Sequence, residues 1–378
     1  MSAPRPTLDR PPDPSPARLQ SLDVFRGATI AGMTLVNNPG DWGNVYPQLL
    51  HANWHGWTFT DLIYPFFLWI VGVSLTLSFA RRVERGDHRG RLFLHTFRRA
   101  ATIFAIGLLI NFLGSFNLAT VRIPGVLQRI AICYLVAAVI FLRTSWKAQA
   151  IWAAALLAVY WALMTLVPVP GHGPGVLEPG RNLANWIDSI VLRGHMWRET
   201  LTWDPEGLLS TLPAIATTLM GVLTGHVLRL KRSAAEKTAW LFAAGNALMF
   251  AAVVMSIWFP INKSLWTSSF AVLMAGLAAN VFAFCYWVVD VQGWRRWAYP
   301  FKVFGVNAIA IYVLTDFIVI GAEHIHIGGQ PLQRWLFQNL YAPFAAPKMA
   351  SLLWAVSFVA LMYLIAWVLY RRNWFIKV

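Results

Sequence analysis

A histidine and an aspartate ten residues apart, His51 and Asp61, open and close the run HANWHGWTFTD. An imidazole exchanges a proton near neutral pH and can carry an acyl group. A carboxylate beside it can orient the ring and raise its basicity. Asn37, upstream, offers an amide N–H to a developing oxyanion. Together these three residues have the makings of acyl or proton transfer. No GxSxG, Walker A, HExxH or GxGxxG pattern offers a competing chemistry. Cys133 and Cys285 sit in apolar runs without a zinc spacing or a disulfide framework, and no metal is expected.

The elements that must position these residues are membrane helices. The chain has 378 residues, of which 57% are hydrophobic and 12% charged, about half the charge of a soluble domain at roughly 25%. Ten segments are apolar over the roughly 20 residues that a bilayer core requires: about 20–38, 61–80, 95–113, 124–142, 149–167, 208–228, 238–258, 264–286, 303–321 and 350–370. The expected fold is an all-α polytopic bundle of about ten transmembrane helices, one domain over 19–378. Residues 1–18, rich in Pro, read as a disordered cytoplasmic tail.

The formal net charge of +15 would suggest nucleic acid in a soluble protein. With the N-terminus inside, however, 22 of the 31 Lys and Arg fall in inside segments and seven outside, while Arg26 and Arg129 lie within spans. That bias predicts cytoplasmic termini and accounts for the basic excess without a nucleic-acid partner. Gly221 and Gly225 form a small-xxx-small pair that suits close helix contact.

Ionisable residues inside spans are expensive. In the first span Asp23, Arg26, Thr34 and Asn37 fall within about 80° of one another on a helix. They could be a local Asp23–Arg26 pair at the helix end, or a polar stripe lining a passage. Further polar residues gather at outer span ends. These are Arg122 and Arg129 in VRIPGVLQR, Asp204 and Glu206 in WDPEG, Asn262 and Lys263 in PINKSLW, and Asp316, with Glu323, His324 and His326 beyond it. They could be an ordinary solvated rim, or a water-accessible site shaped by the long outer connections at about 39–60, 168–207 and 322–349. Two histidines and Glu323 in one loop fall short of a metal site.

RLQSLDVFRG, VNN, HANWHGWTFTDLIYPFFLWIVGVS, VRIPGVLQR, DPEGLLSTLPAIATTLMGVLTG, PINKSLWTSSF and GVNAIAIYVL, in that order, resemble the heparan-α-glucosaminide N-acetyltransferase family. The resemblance runs from about residue 18 to 320. It implies transfer of an acetyl group from cytosolic acetyl-CoA to a glucosamine amino group across the membrane. It further implies that His51 is general base or transient acetyl carrier, with Asn37 and Asp61 at its side. Arg26, Arg129 and Asn307 are the expected donor contacts, and Glu206, Asn262, Lys263 and Asp316 the expected acceptor contacts. His55 has no histidine counterpart in the family and is set aside. Bacterial relatives imply the inner membrane and a periplasmic amino sugar as acceptor, and the family implies a homodimer. Two other readings fit the same residues: an amino-sugar transporter, which needs no acetyl-CoA, and an O-acetyltransferase of an envelope glycan, which makes an ester.

Overall fold

The computed structural model describes residues 19–376; the tail expected over 1–18 lies outside them. The chain is an all-α polytopic membrane protein. Its helices are α1 (Gln20–Asn37), α2 (Phe59–Glu84), α3 (Arg89–Leu113), α4 (Val126–Arg143), α5 (Trp146–Leu166), α6 (Leu183–Val191), α7 (Thr211–Arg229), α8 (Ala234–Met255), α9 (Ser268–Cys285), α10 (Tyr299–Val306), α11 (Ala308–His324), α12 (Leu332–Leu340) and α13 (Pro347–Arg371). A π-helical turn, Tyr286–Val291, prolongs α9. A two-stranded hairpin pairs His326–Ile327 with Gln330–Pro331.

Every segment expected to span is helical. Among the described residues, eight helices are long and apolar enough to cross a membrane, and the bent pair α10 and α11 makes a ninth if it is one span. The tenth, α1, is not among them because Asp23, Arg26 and Asn37 lower its apolarity. Asp23 is buried by neighbouring helices, which keeps it away from lipid. The interior is built from α2, α7 and α9, with α3, α5, α8 and α13 less buried around them.

Two boundaries differ from expectation. The eighth span starts at Ser268 and not near 264, because Thr267 caps it by accepting the Phe270 N–H. Residues 260–267 before it form a hydrogen-bonded loop. The ninth span breaks at Asn307, where α10 and α11 meet at 80°. Asn307 donates from Nδ2 to the Trp374 carbonyl and accepts the Ile376 N–H, so the break is tied to the C-terminal segment.

Glycines set the closest helix contacts. A Cβ at Gly221 would overlap the Trp69 carbonyl, and one at Gly72 the Thr218 carbonyl, so α2 and α7 touch backbone to backbone. Gly27 and Gly305 do the same for α1 and α10.

Connections alternate between the two ends of the bundle. At one end Gly56 N donates to Ile261 O (2.7 Å), Ile123 N to His195 O (3.0 Å) and Trp54 Nε1 to Leu177 O (3.0 Å). At the other, the Gln20 and Ser21 amides donate to Asp290, and Arg229 pairs with Glu84. Gly221→Leu should therefore destabilise the protein by about 1–3 kcal/mol or more, read as a lower midpoint of thermal unfolding in detergent. Gly90→Leu, where nothing lies within 4 Å of the added Cβ, should leave the midpoint unchanged. Equal midpoints for the two would contradict the backbone contact.

Candidate active site

The start of α2 builds the His51 site. Thr58 is the N-cap, and three residues later Asp61 turns its carboxylate back over the helix end. Oδ2 accepts the Thr58 N–H (2.9 Å) and the Ala52 N–H (3.1 Å). Oδ1 lies 2.6 Å from His51 Nδ1. Asp61 is 1% exposed, whereas the His51 side chain is 52% exposed. A carboxylate only accepts, so Nδ1 carries the ring proton. In the neutral ring Nε2, the other nitrogen, then has its lone pair free. Asn37, the last residue of α1, is exposed at the same end of the bundle. Its neighbour Asn38 is buried and donates to Thr34 O (2.8 Å).

A second cluster lies at this end. Arg122 Nε and one terminal nitrogen fork onto Asp204 (2.8 and 2.6 Å), and the same nitrogen reaches Glu206 (2.5 Å). Asp204 also accepts the Trp197 and Glu206 amides. Burial alone would lower the Arg122 pKa, but Asp204 and Glu206 raise it above its ordinary value. Burial alone would raise Glu206, yet Lys263, Arg122 and Arg129 together hold it below the usual carboxylate range.

Arg129, 1% exposed, donates to Gly207 O (3.0 Å) and Ser210 Oγ (2.5 Å). Its guanidinium stacks over Trp266 at 5.3 Å, and its Nε and second terminal nitrogen have no partner. Asp316 hydrogen-bonds Tyr312, which lies within electrostatic reach of Glu206 and Arg122. Asn262 accepts the Leu265 N–H (2.8 Å), and its buried Nδ2 has no partner.

The remaining expected residues lie elsewhere. Arg26 pairs with Asp23 (3.3 Å), the local pair of the first reading, and donates to Ser74 Oγ (2.8 Å) on α2 and to Gly305 O (3.4 Å) on α10. Asn307 is taken up by the C-terminal segment. His324 and His326 are exposed and face backbone carbonyls. Among the described residues, no group of three or more His, Cys, Asp or Glu could hold a metal ion.

The family model described as heparan-alpha-glucosaminide N-acetyltransferase, catalytic, matches residues 18–258. The chain belongs to this family. It is 30% identical over 425 aligned positions to heparan-alpha-glucosaminide N-acetyltransferase of Homo sapiens, covering 96% of this chain and 60% of that protein. Against the Mus musculus protein of the same name the identity is 28% over 418 positions, with the same two coverages. The chain thus spans about 60% of the length of these relatives. The family match contains His51, Asp61, Arg122, Arg129, Asp204 and Glu206, and ends before Asn262, Lys263 and Asp316.

Sequence reasoning missed Asp188 in this family member. It lies on the short helix α6 within the long 168–207 connection, 1% exposed. Its carboxyl accepts the Leu208 N–H (3.0 Å) and the Asp204 N–H (3.4 Å). A Cβ on Gly207 would overlap that carboxyl. Asp188 therefore pins the WDPEG loop that carries both partners of Arg122. The available signal was an aspartate inside the apolar run LANWIDSIV.

Burial raises Asp188 from 3.8 to about 6, so between those pH values the folded state holds a proton there that the unfolded chain has released. The stability from this group is full below about pH 3.8 and is lost as pH rises through about 6. The unfolding midpoint of the wild type minus that of Asp188→Asn should therefore fall as pH rises from about 4 to 7. A difference that stays flat across this range would contradict the assignment.

Proposed function

We propose that this chain is a transmembrane acetyltransferase. It would move an acetyl group from acetyl-CoA to the amino group of a glucosamine-type sugar, with His51 at the reacting centre. The observation that carries the reading is the His51–Asp61 contact, a buried carboxylate holding Nδ1 of a half-exposed imidazole. Membership of the acetyltransferase family supports the choice of reaction.

In the direct form, Nε2 takes a proton from the sugar amine as the amine nitrogen attacks the thioester carbonyl. The tetrahedral oxyanion is met by the Asn37 amide. Its collapse breaks the C–S bond, and the departing thiolate takes the proton from the imidazolium to leave an amide and free CoA. In the alternative form, Nε2 attacks the thioester carbonyl first, and the C–S bond breaks to release the CoA thiolate. The acetylated ring then gives the acetyl group to the sugar amine, whose surplus proton goes to that thiolate. Labelled acetyl-CoA without acceptor would then leave label on the protein. Asp61 stabilises the imidazolium in the direct form and aligns the ring in both.

The donor is assigned to the end carrying the 22 basic residues, which is read as cytoplasmic; their field favours its phosphates. Arg26 is assigned to the donor's approach from that end, and Arg129 to the acyl end of the donor. Asn307 would act through the bend that it fixes. At the His51 end, Asn262, Lys263 and Asp316 are assigned to the acceptor, with Glu206 shaping the site through Arg122. The membrane is taken to be a bacterial inner membrane, and the acceptor a periplasmic amino sugar.

Purified protein supplied with labelled acetyl-CoA and glucosamine should yield labelled N-acetylglucosamine. His51→Ala should reduce this to background, and Asp61→Asn should lower it by roughly 10²–10⁴. Full transfer by His51→Ala would remove His51 from the chemistry.

A further inference from the structure

The bundle carries an apolar groove of about 480 Å³ lined by Trp161, Met255, Trp258 and Phe259. It sits where α5 nears its end and where α8 ends at Met255. Trp161 and Trp258 are 42% and 67% exposed, as interfacial tryptophans of membrane proteins are. No charged residue lines it. At the edge of a bundle of apolar helices, such a groove suits a hydrocarbon chain.

The groove is joined to the His51 end by its own chain segment. Phe259 packs with Tyr160, Met164 and Leu265, and Trp54 of the HANWHGW run packs on the same cluster. Two residues on, Ile261 O accepts the Gly56 N–H (2.7 Å), and Asn262 pairs with Gly56 as an isolated bridge. From Phe259 to Asn262 is three residues, a path of at most about 10 Å. Asn262 has a buried Nδ2 without a partner, and Lys263 follows it. Polar donors for a sugar and an apolar seat for a chain are therefore consecutive on one segment, held against the loop that bears His51.

We propose that the acceptor is a glucosamine-type sugar carried on a single apolar chain. The chain lies in the Trp161–Met255–Trp258–Phe259 groove, and the sugar lies at Asn262, Lys263 and His51. This rests on the acetyltransferase reading and adds the substrate class to it.

The test uses full-length protein in phospholipid nanodiscs with two acceptors, methyl glucosaminide and dodecyl glucosaminide. Met255→Trp fills the groove and Trp258→Ala removes its exposed wall. Either variant should raise KM for the dodecyl acceptor about tenfold while leaving the methyl acceptor unchanged. Partition into the bilayer is the same for wild type and variants, so it cannot mimic this result. A dodecyl glucosaminide with a photoreactive tail should label the 255–259 segment. Excess dodecyl glucosaminide should suppress that labelling, and dodecyl glucoside, which lacks the amine, should not.

Unchanged KM values in both variants, or labelling that dodecyl glucoside suppresses equally, would assign the groove to ordinary bilayer lipid and overturn the proposal. Amine-dependent labelling without acetylation of either sugar would keep the lipid-carried ligand and overturn the acetyltransferase reading instead.

Discussion

A carboxylate sealed from water must be given hydrogen-bond donors, and Asp61 is such a group. An ionised carboxylate left bare in an apolar setting is costly enough to neutralise instead. Here the donors are the Ala52 and Thr58 amides and His51 Nδ1. Satisfying Asp61 therefore folds residues 51–58 back over the start of α2 and fixes the imidazole in the same step. The loop is fastened again from outside, by Gly56 to Ile261 and by Trp54 to Leu177. Gly56 has φ +97°, a conformation open to glycine and strained for other residues.

The second cluster holds two connections together in the same way. Arg122 comes from the link between α3 and α4, Asp204 and Glu206 precede α7, and Asp188 lies on α6. Buried ion pairs add little net stability compared with well-packed apolar groups, but losing one partner strands the other. Their effect is to fix which loop meets which. They do so at the end of the bundle where the site requires a defined shape. The opposite end carries the basic connectors, and there the contacts are Asp290 with the first turn of α1 and Asn307 with the C-terminal segment.

Much of this was legible in the sequence, for physical reasons. Spans are visible because a bilayer demands about 20 apolar residues, and all ten expected segments are helical. His51 and Asp61 were found as a pair because helix-cap geometry is local, and ten residues suffice to close the loop. Arg122, Asp204 and Glu206 stood out as charges at the edges of apolar spans, although their mutual contact across 82 and 84 residues was not readable. Asp188 was hidden because its role is set by two amides contributed by another segment. The 80° bend was hidden because Asn307 is polar but uncharged, and its partners come from the far end of the chain.

The central claim is that Asp61 holds the Nδ1 proton of His51 and leaves Nε2 free. Nitrogen-15 NMR of histidine-labelled protein reads this directly. The His51 signals are assigned by their disappearance in His51→Gln from a set of nine histidines. The neutral ring should show a protonated Nδ1 and a bare Nε2, and Asp61→Asn should abolish that preference. A His51 ring protonated at Nε2 in the wild type would leave the exposed nitrogen unable to accept a proton or an acyl group, and would contradict the account.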